Sequence, residues 1–112
     1  MPAYVPHVRR AAIASLCALG AVAACARPKP RAHTVTIRNF AFDPASLTLA
    51  RGDTVVWSNT DFVPHSATAS NSAWDSKAIG ASATWRFVPG AAGRYEYYCV
   101  YHPTMKATII VR

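Results

Sequence analysis

From residue 34 to the end, hydrophobic and polar positions alternate with a period near two, and β-branched and aromatic side chains dominate. The alternation predicts strands over residues 34–40, 46–50, 53–59, 83–88, 94–100 and 106–112, with a weaker one over 66–70. Val35 and Ile37 share a face, as do Leu47 and Leu49, Val55 and Trp57, and Trp85 and Phe87. In the segment 94–100 Tyr95, Tyr97 and Cys99 point one way and Glu96 and Tyr98 the other. Turn signals separate the runs at Asp43-Pro44, Arg51-Gly52-Asp53 and the stretch Pro89 to Gly93. Residues 71–79 carry no clear period and read as loop. No helical period follows residue 33. The pattern therefore predicts an all-β domain, an antiparallel Greek-key sandwich or barrel of about seven to eight strands. Trp57, Trp85, Tyr95 and Tyr97 are its expected core.

Upstream the pattern changes. Residues 1–10 contain Arg9 and Arg10 and no acid, and residues 11–24 are apolar or small. A basic start, a short apolar middle and small residues at the end match an export signal over 1–24. Its end, Val22-Ala23-Ala24-Cys25, resembles a bacterial lipoprotein box, in which Cys25 would be the site of lipid attachment. Ordinary cleavage also fits, through Ala21-Val22-Ala23 or Ala24-Cys25-Ala26, but cleavage near Ala23 would leave a reactive thiol near the new terminus. Residues 25–33, with Pro28 and Pro30, read as a Pro-rich tether. Residues 34–112 remain as one domain. The expected location is the periplasm or cell surface, with a lipid anchor in the membrane.

The formal charge of +7 is unevenly spread. From His33 onward there are seven Lys/Arg against five Asp/Glu, so the folded part is near +2. No basic stripe interleaved with aromatics is present, which argues against nucleic acid as a partner. A domain this small buries a limited core. A metal bound only by the folded state would add to its stability.

Of the three cysteines, Cys17 lies in the expected signal, Cys25 just at its end and only Cys99 in the domain, so no disulfide can form within it. Cys99, His102 and Met105 form a C-x2-H-x2-M run where one predicted strand gives way to the next. His65 lies 34 residues before Cys99, at the end of the loop after the Trp57 strand. Each alone has an ordinary structural explanation: a buried thiol, a loop histidine, a core methionine. Together they form a His2Cys set with a weak axial Met, the arrangement of blue-copper electron-transfer sites. A short loop can bring three of these side chains to one point. The thioether argues against zinc. Hydrolysis by Ser66, His65 and Asp61 is a weak reading, because neighbours on an extended chain do not face one another. With all ligands supplied by protein, no position is left for substrate, and an enzyme is not expected.

The stretch Gly93-Arg94-Tyr95-Glu96-Tyr97-Tyr98-Cys99, followed by His102-Pro103 and Met105, resembles the cupredoxins. Its compact loop is that of the amicyanin-like members; plastocyanins and pseudoazurins have longer ones. Trp57-Ser58-Asn59 followed by Pro64-His65 resembles the same family's first-histidine region. The resemblance covers residues 34–112. It implies one copper ion, Cu(I)/Cu(II), held by His65, Cys99, His102 and Met105. It further implies that Asn59 ties the two ligand loops together by hydrogen bonds, and that the electron leaves through the exposed edge of His102. Transient redox protein partners would dock there, against Pro103, Thr104 and Phe62 or Pro64, and the chain would be a monomer. Two positions depart from the amicyanin-like pattern: Tyr101 stands where proline is usual before the second histidine, and Ala107 where glycine is common. The main alternative is a copper-binding or delivery module of the cell envelope.

Overall fold

The computed structural model describes residues 28–112. The expected signal and Cys25 lie outside them. Eight strands are present: β1 (Ala32–Arg38), β2 (Ala41–Asp43), β3 (Ser46–Leu49), β4 (Thr54–Asn59), β5 (Thr68–Ala69), β6 (Thr84–Phe87), β7 (Gly93–Cys99) and β8 (His102–Val111). They form two four-stranded sheets, ordered β2-β1-β4-β6 and β3-β8-β7-β5. No helix occurs among the described residues.

The predicted alternation sets the core. Val35, Ile37, Val55, Trp57, Tyr97, Cys99 and Ile109 are all at most 1% exposed. Trp57 sits at the centre, its ring 5.4 Å from Trp74, 5.3 Å from Trp85 and 5.6 Å from Tyr97. Burying one such side chain fully is worth about 1.5–3 kcal/mol. Trp74 comes from the stretch read as loop. That stretch is indeed loop, but it turns one ring inward to plug the core.

Four features differ from the sequence expectation. The sheets are mixed: β1 runs parallel to β4, from Ala32 against Thr54 to Ile37 against Asn59, and β3 runs parallel to β8. The short β2 was not expected; it pairs antiparallel with β1 through a tight turn at Asn39-Phe40. β1 begins at Ala32, two residues into the segment read as tether. Arg31 is held there too, through its N–H to the Asp53 carboxylate at 2.9 Å and its carbonyl to Thr54 N at 2.8 Å. β8 begins at His102, well before residue 106, because it forms a hairpin with β7 across Val100-Tyr101.

The hairpin is what places the chemistry. β7 and β8 pair in regular register from Gly93 against Val111 to Tyr98 against Lys106, then the register shifts between Tyr98 and Cys99. Beyond the shift Cys99 faces His102 directly. Such irregularities bend a strand and re-aim its side chains.

Candidate metal centre

Cys99 ends β7 and is fully buried. Directly opposite, His102 opens β8 and is partly exposed. Their cross-strand relation brings Cys99 Sγ to 3.8 Å from His102 Nδ1. His65 reaches the same point from the other sheet's side, with its Nδ1 3.7 Å from the sulfur. The three donor atoms all lie within 4.8 Å of one another. A metal with bonds of about 2.0 Å to nitrogen and 2.3 Å to sulfur would hold a sulfur and a nitrogen roughly 3.5–3.7 Å apart, so both sulfur–nitrogen spacings fit one ion. Met105 is buried three residues beyond His102, on the inner face of β8 with Ala107, Ile109 and Val111. The usual glycine position is thus taken by a methyl group that packs inward, and Tyr101 is half exposed at the turn.

His65 is clamped at both ends. Its backbone pairs with Ile79 in both directions, at 3.1 and 2.7 Å. Its Nε2 lies 2.8 Å from Asp61 Oδ2. An ionised carboxylate only accepts, so Nε2 carries the hydrogen and Nδ1 presents its lone pair to the sulfur side. The same carboxylate accepts the N–H groups of Asn39 at 2.7 Å and Phe40 at 3.0 Å. These bonds, with the Phe40 N–H first and His65 among the rest, hold the Asp61 pKa below the usual carboxylate range against a partial loss of water.

Asp61 was not expected to meet His65. The chain bends through residues 61–63, which folds position 61 back onto 65. Ser66, by contrast, turns away from His65: its hydroxyl accepts from Val100 N at 2.9 Å and pairs with Thr68 Oγ1 at 3.0 Å. No Ser–His–Asp relay is assembled.

Phe40 is a residue that the sequence reading missed. Its ring meets His65 and His102 edge-on, with centroids 5.3 and 4.8 Å away. It holds this place in the left-handed region, φ 58°, next to Asn39 at φ 52°. That conformation costs an ordinary residue roughly 1–2 kcal/mol, and the two Asp61 hydrogen bonds hold it. The only signal in the sequence was a pair of residues, Asn39-Phe40, between two short apolar runs.

The expectation for Asn59 needs correction. Its amide donates to the carbonyls of Val63 and Ile79, both at 2.9 Å, and approaches Gly80 at 3.3 Å, while its oxygen accepts from Asp61 N. These bonds brace the His65 loop against residues 79–80, not against the Cys99 loop. The link between the two ligand segments is made by Ser66, whose N–H donates to Cys99 Sγ at 3.3 Å and whose hydroxyl takes the Val100 N–H. The reason is register: Asn59 ends β4 in the sheet opposite β7, whereas Ser66 crosses over to it.

Comparison with known proteins settles the family. The cupredoxin-like domain matches residues 10–111. The chain belongs to the cupredoxin family. Amicyanin-alpha of Methylorubrum extorquens is 29% identical over 111 residues, covering 90% of this chain and 93% of the relative. Among solved structures, a purple cupredoxin from Nitrosopumilus maritimus is 26% identical with a TM-score of 0.66, over 70% of this chain and 98% of its own. An oxidised proline-to-alanine mutant of amicyanin is 26% identical with a TM-score of 0.68, over 72% of this chain and 82% of its own. A copper-containing nitrite reductase from Thermus scotoductus is 26% identical with a TM-score of 0.67, but this chain spans only 23% of it. In this cupredoxin the grouping of His65, Cys99, His102 and Met105 is suited to one copper ion.

Proposed function

We propose that this chain is an exported cupredoxin with a single type 1 copper site, ligated by His65, Cys99, His102 and Met105, which carries single electrons between redox partners. The observation that supports it best is the convergence of Cys99 Sγ on the Nδ1 atoms of His65 and His102 at 3.7 and 3.8 Å. Copper bound there supplies a one-electron couple. The protein's own part is to keep the donors still. Asp61 and the Ile79 bridge fix His65, and the Ser66 N–H steadies the Cys99 sulfur. Little rearrangement is then needed when charge changes, which favours fast electron transfer over turnover of a substrate.

His102 is the one donor side chain at the surface, and it marks the exit for the electron. Phe40 packs edge-on against it and Pro103 follows it in the chain, both exposed, and Phe62 and Pro64, which precede the His65 ligand, are exposed as well. Phe62, 99% exposed, offers its whole ring to a partner. Such a patch suits small, short-lived contacts with protein partners. A copper-delivery role is less well supported, because His65 and Cys99 are sealed from solvent and poorly placed for ligand exchange. The chain would act as a monomer in the periplasm or at the cell surface, held by a lipid on Cys25.

The test is the visible spectrum of the copper-loaded protein. Intense sulfur-to-copper charge transfer is expected in the oxidised form, lost on reduction and absent in Cys99→Ser. A colourless wild type with copper bound would reject the reading.

A further inference from the structure

The end of the sandwich opposite His102 carries a different surface. There β1, β4 and β7 begin and β3, β6 and β8 finish. An open hollow of about 490 Å³ at this end is lined by Lys29, Arg31, Arg51 and Arg112, together with His33 and Asp53. The four cations come from three separate parts of the chain, and all are exposed. None makes an ion pair among the described residues. The one side-chain carboxylate lining the hollow, Asp53, is turned inward at 7% exposure, where the N–H groups of Arg31 and Ala50 and the His33 ring occupy it. It leaves the four side chains free to face outward.

The chain enters the described domain at this same end. Cys25 and the apolar stretch 11–24 lie only a few residues before Pro28. Three extended residues reach at most about 10 Å. A lipid on Cys25 would deliver hydrocarbon beside this cluster of cations. Strands of the length of β1 separate it from the His102 end by roughly 20 Å.

We infer that the Lys29, Arg31, Arg51 and Arg112 end is a docking surface for an anionic lipid bilayer. Docked there, the sandwich stands with His102 and its apolar rim turned toward the aqueous space, open to partners. The inference rests on the export reading given above. Near an anionic surface each Lys or Arg strengthens attachment roughly fivefold, and the effect is screened by salt. Beside a lipid anchor, a basic patch is a common further signal for membrane attachment.

The test uses the full chain as the host processes it, loaded with copper and sedimented with vesicles. Vesicles of phosphatidylcholine alone are compared with vesicles containing phosphatidylglycerol, at low and high salt. The wild type should prefer the anionic vesicles, and salt should erase the preference. Arg51→Glu with Arg112→Glu should weaken attachment to anionic vesicles by roughly tenfold or more. Arg38→Glu with Arg86→Glu changes the net charge equally at exposed sites elsewhere, and should leave the preference standing. The visible spectrum reports whether each variant folds. Should the double reversal fail to fold, Arg51→Gln should still lower attachment several-fold. A wild type indifferent to phosphatidylglycerol, or equal losses in the two double variants, would overturn the inference. A colourless wild type that still prefers anionic vesicles would sink only the copper reading.

Discussion

Both ends of this sandwich are closed by the same small device. At one end Asp61 accepts the N–H groups of Asn39 and Phe40 and faces His65 Nε2 at 2.8 Å. At the other Asp53 accepts the N–H groups of Arg31 and Ala50 and faces His33 Nε2 at 3.0 Å. Each aspartate pins two backbone N–H groups and fixes the tautomer of one histidine. The difference lies in what the second ring nitrogen meets. His65 is fully buried with its Nδ1 3.7 Å from the Cys99 sulfur. The His33 side chain is 25% exposed, and the one group of clustered metal-ligating side chains among the described residues does not include it. An Asp–His pair is thus a structural clamp by default, and becomes part of a metal centre only where the fold brings a soft donor to the free nitrogen.

Removing each aspartate tests that contrast most severely. In Asp61→Ala the buried His65 N–H loses its acceptor, at a cost of about 1–3 kcal/mol, and the freed ring should broaden the visible band. Asp53→Ala should cost less, since water can reach His33, and should leave the band unchanged. Urea unfolding with the spectrum recorded in parallel would show it; a band as sharp in Asp61→Ala as in the wild type would mean that His65 is held by its backbone alone. Met105→Leu sharpens what the site end adds. It conserves volume, so stability should fall by less than about 1.5 kcal/mol, while the colour persists and the reduction potential shifts. An unchanged potential would remove Met105 from the site. Phe40→Ala should cost about 0.5–1.5 kcal/mol through lost edge contacts with two rings, and voltammetry should show slower or less uniform electron transfer. No change in either would make Phe40 a bystander.

The smallest effect is in acid. Asp53 is lowered to about 2, chiefly by the Arg31 N–H and then by His33 and the Ala50 N–H. A carboxylate lowered in the folded state binds fewer protons there than in the unfolded chain. Its contribution is therefore complete above the unfolded value near 4 and is lost as the pH falls toward 2. Between those limits the wild type should lose thermal stability more steeply than Asp53→Asn. Parallel slopes would show that the clamp at the tether end does not hold the fold.

Much of the fold was legible from alternation alone. Seven of the eight strands lie where a period of two placed them, because one face of each must enter a shared core. β2 was not legible: three residues are too few to show a period. Parallel pairing of β1 with β4 and of β3 with β8 was not legible either, since alternation says which face is buried and nothing about which strand lies beside it. Of the site, the spacing from Cys99 to Met105 was readable, because a two-residue hairpin turn makes sequence neighbours into spatial ones. Asp61 and Phe40 were not, since their roles depend on a bend and on a left-handed turn that bring residues 40, 61 and 65 to one place.

By itself, then, the amino-acid sequence determined the strand faces, the tryptophan-centred core and the identity of the soft and imidazole donors, all of which follow from local period and side-chain chemistry. Only the tertiary structure decided that Ser66, and not Asn59, joins the two ligand segments, and that Asp61 folds back to face the outer nitrogen of His65. It alone gathered four dispersed cations at the far end. Each of these depends on distances between residues remote in the chain, and those are set by how the two sheets close on one another.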